Sequence, residues 1–216
     1  MRQVLRFLGA AQNVTGSRYV LEANGSRILV DAGLYQERSF LERNWDPFPV
    51  PVDTLDVILL THAHLDHCGY LPKLVQQGFR GKVYCTPATA EIAEIAFLDY
   101  AHLQAEDADF KRERHAREGR RGPRPETPLY STKDAEACLR VFKTVEYEHT
   151  VEVADGVEAS FHDAGHILGS AMIYLTIHAN GGGSAQTLLF SGDIGRWDKP
   201  ILNDPTVFDQ ADYVVM

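Results

Sequence analysis

The apolar run Val57-Ile58-Leu59-Leu60 leads directly into Thr61-His62-Ala63-His64-Leu65-Asp66-His67-Cys68-Gly69. A strand is expected here, and it ends in three imidazoles and a carboxylate within six residues. Packing does not explain such an ending. Imidazole nitrogen and carboxylate oxygen are the donors that zinc takes at roughly 2.0–2.2 Å. Neighbouring side chains point in different directions, so all four cannot reach one ion. Two metals are the natural arrangement, with His62 and His64 (alternating positions, same side) on one and Asp66 and His67 on the other. The plainer alternative is a histidine-rich surface loop, and blocks further along the chain argue against it.

A chain of 216 residues with 44% hydrophobic content can bury one sizeable core. Its apolar runs are too short to span a bilayer. The N-terminal stretch is broken by Arg6 and reads as a first strand, with Val4, Leu5, Phe7 and Leu8 available for burial, rather than as a signal peptide. Cys68, Cys85 and Cys138 are odd in number and far apart, which suggests neither a disulfide framework nor a cysteine zinc knuckle. Cys68 is expected to be a packing residue beside the histidines. These features place the protein in the cytoplasm.

The net charge of −9 opposes bulk electrostatic binding to nucleic acid. One segment departs from it. Lys111 to Arg124 holds seven Lys or Arg against two Glu, and reads as a solvated helix end and loop in preference to a phosphate-contacting arm.

Strand-like alternation fills the first sixty residues, with Ser17 to Glu22 and Arg27 to Asp31 joined through Asn24-Gly25, a strong hairpin signal. Pro47, Pro49 and Pro51 then break the chain. A helix is expected from Tyr70 to Val75, ended by Gly78, then a short strand at Lys82 to Cys85. Pro87 opens a long helix. The stretch from about 105 to 128, charged and rich in Gly and Pro, reads as an excursion from the core. Helix resumes over 133–142, and strands follow over 157–162, 171–178 and 186–191, the last two joined by Gly181-Gly182-Gly183-Ser184.

Three further blocks each end a strand in a glycine-flanked chemical group. They are Leu29-Val30-Asp31-Ala32-Gly33, then Phe161 to Ser170 around His166, and Leu188 to Gly195 around Asp193. Glycine lets the backbone turn sharply there, and catalytic side chains tend to emerge at such points. Any one block alone is a weak signal, since Asp favours turns.

Taken together, Asp31, His62-x-His64-x-Asp66-His67, His166 and Asp193 resemble the metallo-β-lactamase superfamily. The blocks Gly9 to Ser17, Asp163 to Ser170 and Ser191 to Gly195 resemble its β-CASP branch of RNA-processing nucleases. The likeness runs from Phe7 to Met216. It implies a four-layer αββα sandwich, where strand and turn patterns alone leave an ordinary α/β domain equally open. It also implies that His62, His64 and His166 hold a first zinc, that Asp66 and His67 hold a second, and that Asp193 bridges the two. Asp31 is then expected to accept a hydrogen bond from a ligand histidine and fix its tautomer. Manganese or iron could occupy similar sites. His102, His115, His149, His162 and His178 are expected on the surface or in packing.

The implied activity is hydrolysis of a phosphodiester in single-stranded RNA by a hydroxide that two metal ions make available near neutral pH. A thioesterase of the glyoxalase type is the alternative within the superfamily, and a silent binding scaffold is the alternative outside enzymes. The resemblance further implies that residues 1–216 form the metallo-β-lactamase part of a larger enzyme. A cap domain, and a ligand completing the second metal position, are then expected beyond Met216, and weak activity from these residues alone. A homo-oligomer is left open.

Overall fold

The computed structural model describes residues 3–122, 124, 126–179 and 183–216. Gly181 and Gly182 of the expected turn, and Pro123 of the basic run, lie outside the described residues.

A six-stranded sheet takes the order β1 (Val4–Phe7), β2 (Tyr19–Ala23), β3 (Ser26–Val30), β4 (Val57–Leu59), β5 (Lys82–Cys85) and β6 (Phe142–Thr144). The first three strands run antiparallel, with Asn24-Gly25 turning the β2–β3 hairpin, and β3 to β6 are parallel. The second sheet has the order β11 (Tyr213–Val215), β10 (Gln186–Phe190), β9 (Ala171–Ile177), β8 (Val157–Asp163) and β7 (Thr150–Ala154). It is antiparallel except for β10 beside β11.

Strands β3 and β4 are apolar on both faces because both faces are covered. Ile28, Val30, Val57 and Leu59 meet Phe161, Ile173 and Leu175 between the sheets. Leu29, Ile58 and Leu60 face the other way, into a core closed by helices α1 (Leu65–Cys68), α2 (Leu71–Gln76), α3 (Pro87–Glu118) and α4 (Thr132–Leu139). Cys68 is fully buried in that core, a packing residue as expected. These are the two mixed sheets with outer helices that the sequence led us to expect. The α-helices among the described residues all pack on the outer face of the first sheet. Among the described residues the outer face of the second sheet is covered instead by Phe208 and Ala211, packed on Met172, Tyr174 and Leu189.

Three local expectations need correction. Helix α3 does not give way to an excursion at 105 but continues to Glu118, where Gly119 caps it in the left-handed conformation (φ 61°). Its charged stretch holds together because charged residues are good helix formers and pair along the helix, Lys111 with Asp107 and Arg112 with Asp109. Ala108 and His115, both in the supposed excursion, are buried. Helix α4 opens on a Ser131–Asp134 capping box and stops at Leu139 rather than 142. Phe142 is taken by pairing with Val83 of β5, where sheet hydrogen bonds outweigh helical periodicity. Phe7 is 54% exposed, lying on an edge strand against Tyr19.

The topology also positions the chemistry. Parallel pairing sets Val30 beside Leu59, so β3 and β4 finish together and deliver Asp31 and Thr61 to one edge. On the facing sheet, Asp163 pairs with Ala171, which brackets the loop carrying His166. The Ala171 amide donates to the Thr61 carbonyl at 2.8 Å and ties the two edges together.

Candidate metal centre

Three ring nitrogens converge where those edges meet. His64 Nδ1 lies 3.1 Å from His62 Nε2 and 3.1 Å from His166 Nε2. Corners of a tetrahedron with metal–nitrogen bonds of about 2.0–2.1 Å are ~3.3 Å apart, so this spacing suits one ion. Asp193 adds a carboxylate: Oδ2 is 3.8 Å from His62 Nε2 and 3.5 Å from His166 Nε2. The donor atoms of these four residues all lie within 4.8 Å of one another. The set is imidazole nitrogen and carboxylate oxygen with no thiolate, as zinc and its neighbours accept.

The other oxygen of Asp193 faces a different histidine, with Oδ1 3.3 Å from His67 Nε2. Asp193 therefore stands between two groups of donors, as a bridging ligand must. His67 enters from helix α1, whose first residue directly follows His64. Asp66 sits on the same turn, half-buried, and its carboxylate has no hydrogen-bond partner among the described residues. It lies outside the tight group of four. Sequence reading paired Asp66 with His67; the carboxylate nearest His67 Nε2 on the ligand side is Asp193, at 3.3 Å.

Asp31 stands behind these ligands, 1% exposed, and takes a positive φ of 56°. Its Oδ2 accepts from His67 Nδ1 at 2.7 Å, and Oδ1 accepts from the Thr61 amide at 2.9 Å. Sequence reading expected Asp31 to accept from a histidine of the cluster, and the histidine it meets is His67. Sequence reasoning gave Thr61 no role, although it precedes the first histidine. Its hydroxyl is within 3.0 Å of both Asp31 oxygens and of His62 Nδ1.

Electrostatics follow from the same contacts. Burial and the neighbouring His67 push the His62 pKa down to about 2, against the pull of Asp193. Burial acts on His67 in the same sense, but the Asp31 and Asp193 carboxylates outweigh it and hold its pKa up at about 10. The His67 hydrogen bond, with the His62 and His166 rings nearby, keeps the Asp193 carboxyl well below the usual range. Burial lowers His166.

Gly195 and the Gly9–Ser17 block shape the surroundings. The Gly195 amide donates to Ala164 at 2.8 Å, so the Asp193 loop lies directly on the His166 loop. Lys199 Nζ donates to the His166 carbonyl at 3.1 Å. A cavity of about 240 Å³ opens beside His67 and Asp193, walled on its far side by Ala10, Asn13 and Val14. Glu37 clamps that wall by accepting from the Val14 and Thr15 amides and the Thr15 hydroxyl. The Thr15 hydroxyl is the main reason its carboxyl drops to about 2. The remaining histidines are elsewhere. His115 pairs with Glu126, His178 with Glu158, and His162 packs on Phe208. In the basic run, Lys111, Arg112, Arg120 and Arg124 pair with Asp107, Asp109, Glu118 and Glu42, in keeping with a solvated helix end.

Two facing mixed sheets thus bring to one edge a group of three histidines and an aspartate that could hold a metal ion. The sequence matches the metallo-β-lactamase superfamily domain over residues 20–183, and the chain belongs to that superfamily. Among curated proteins it is similar to Ribonuclease TTHA0252 of Thermus thermophilus, with 35% identity over 207 residues, 96% of this chain and 41% of that protein. It is also similar to Transcription termination factor FttA of Methanocaldococcus jannaschii, with 30% identity over 204 residues, 93% of this chain and 28% of that protein. The chain thus spans less than half the length of these relatives. A metallo-β-lactamase of Cronobacter sakazakii carrying a HARLDQ motif shares the fold, with a TM-score of 0.51 at 19% identity, covering 92% of this chain and 63% of that one.

Proposed function

We propose that residues 1–216 form the metallo-β-lactamase domain of a zinc-dependent ribonuclease that cleaves phosphodiester bonds in single-stranded RNA during RNA processing, in the cytoplasm. The observation that carries the reading is the convergence of His62 Nε2, His64 Nδ1 and His166 Nε2 on one side of Asp193, with His67 on the other. His62, His64 and His166 would hold a first ion, His67 and Asp66 a second, and Asp193 both. Metal ions held there would supply Lewis-acid activation of water at neutral pH and charge neutralisation at phosphoryl oxygens. The chain's own residues hold the histidines in place, and the clamped Ala10–Val14 wall bounds the cleft in which a substrate would lie.

RNA, rather than a small thioester, is supported by the relatives, one of which is named a ribonuclease. Three free, buried cysteines support a reducing compartment. No helix among the described residues is long and apolar enough to cross a membrane.

The test is cleavage of end-labelled single-stranded RNA by the zinc-loaded protein, with a glutathione thioester as the comparison substrate. Asp193→Ala serves as the control. RNA cleavage lost in the variant supports the reading. Thioester turnover without RNA cleavage overturns the substrate assignment, and stoichiometric failure to bind metal overturns the centre itself.

A further inference from the structure

We propose that Thr61 is a positioning residue whose hydroxyl carries the hold of Asp31 to His62, so that one carboxylate orients two buried histidines and sets the tautomer of His62. The inference rests on the metal-centre half of the proposed function and not on RNA as substrate.

The argument is a proton count. A threonine hydroxyl has one hydrogen to give and can accept through its lone pairs, whereas a carboxylate only accepts. Thr61 Oγ1 lies 3.0 Å from Asp31 Oδ1, 2.9 Å from Oδ2 and 3.0 Å from His62 Nδ1. A hydrogen bond to an ionised acceptor is roughly twice as strong as one between neutral groups, so the single hydroxyl hydrogen goes to Asp31. Thr61 can then only accept from His62. The His62 proton must sit on Nδ1, which leaves the Nε2 lone pair facing His64 Nδ1 and Asp193.

His67 meets Asp31 without an intermediary. Its Nδ1 donates to Asp31 Oδ2 at 2.7 Å, so Nε2 is the nitrogen that faces Asp193 Oδ1 and the one that must give up its proton to a metal. His62 and His67 belong to the two different donor groups that Asp193 separates. Asp31 therefore orients one ligand of each group, directly for His67 and through Thr61 for His62.

The relay is built to stay in place. Thr61 is 1% exposed, so water does not compete for its hydroxyl. Its amide is held by Asp31 and its carbonyl by Ala171 of the facing sheet. Gly192, one residue before Asp193, lies flat against its side chain. A Cβ at Gly192 would come within 2.8 Å of Thr61 Cβ and 3.0 Å of Oγ1. The rotamer is thus wedged from the β10 end, and Gly192 at φ 50° leaves the space for it.

Long-range ¹H–¹⁵N correlation spectra of histidine-labelled, metal-free protein near neutral pH read the tautomers directly. The parent protein should show His62 protonated on Nδ1. Thr61→Val removes the acceptor while keeping the shape, and should shift His62 towards the Nε2-protonated form. Thr61→Ser should restore the parent pattern. Zinc competition against a chromophoric chelator should show affinity falling roughly 10–100-fold in Thr61→Val, the usual loss when a group orienting a metal ligand is removed, and recovering in Thr61→Ser. His62 found protonated on Nε2 in the parent overturns the proposal whether or not the variants fold. So does a Thr61→Val protein with parent tautomer and parent zinc affinity. RNA cleavage enters neither readout, so failure of the ribonuclease assignment would leave this result standing.

Discussion

His67 Nδ1 lies 2.7 Å from Asp31 Oδ2, at the end of a strand where Asp31 adopts a left-handed backbone with φ of 56°. Asp31→Asn isolates the charge, since asparagine keeps the shape and tolerates positive φ well. The variant should fold, judged by circular dichroism, and lose roughly 10–100-fold in zinc affinity. Parent affinity in a folded Asp31→Asn protein would remove Asp31 from the working parts of the centre.

The same pair makes the metal-free protein sensitive to alkali. His67 has its folded pKa raised from 6.5 to about 10, where Asp31 and Asp193 overcome burial. A histidine raised in this way contributes stability that is complete below its unfolded pKa and disappears as pH rises through the folded one. Metal-free protein should therefore lose stability between about pH 6.5 and 10 in thermal melts. His67→Gln should flatten that slope. Zinc uptake near neutral pH must also displace this proton, and a weakly buffered solution should acidify on loading.

Gly195 offers a test of how the two loops share the centre. A Cβ there would lie 1.7 Å from the Gly165 carbonyl oxygen and 2.7 Å from the His166 amide nitrogen. Gly195→Ala must push the Asp193 and His166 loops apart. The expected outcome is a folded protein whose zinc affinity falls by roughly tenfold or more. His166→Ala, measured beside it, shows the loss when the ligand itself is removed.

Phe97 reports on the core rather than the chemistry. It is fully buried on α3 and meets the Phe142 ring edge-on at 6.2 Å. Phe97→Ala should destabilise the protein by about 3–5 kcal/mol in denaturant unfolding. Zinc stoichiometry should be unchanged where the variant remains folded.

Much of this was legible in the residues. Strands β2, β3, β4, β5, β8, β9 and β10 announce themselves through apolar runs and turn signals that act over a few residues. The histidines and Asp193 stand out because glycine-flanked polar groups at strand ends have few other uses. Helix α3 beyond 105 was not legible, because its charges read as loop until pairing along the helix and burial of Ala108 and His115 are seen. The end of α4 was missed for the opposite reason. A neighbouring strand, distant in sequence, claims Phe142.

The sequence by itself determined the donors, their order and the strand ends that present them, because these are local properties of residue type and spacing. Only the tertiary structure decided which atoms meet. That His64 turns Nδ1 inward where His62 and His166 turn Nε2 depends on where each backbone enters. That Asp193 faces His67 on one oxygen and His62 and His166 on the other depends on two sheets closing on each other. Thr61 shows the difference most clearly. Its neighbours Asp31, Gly192 and Ala171 lie between 30 and 131 residues away along the chain, and packing alone makes its hydroxyl a link between them.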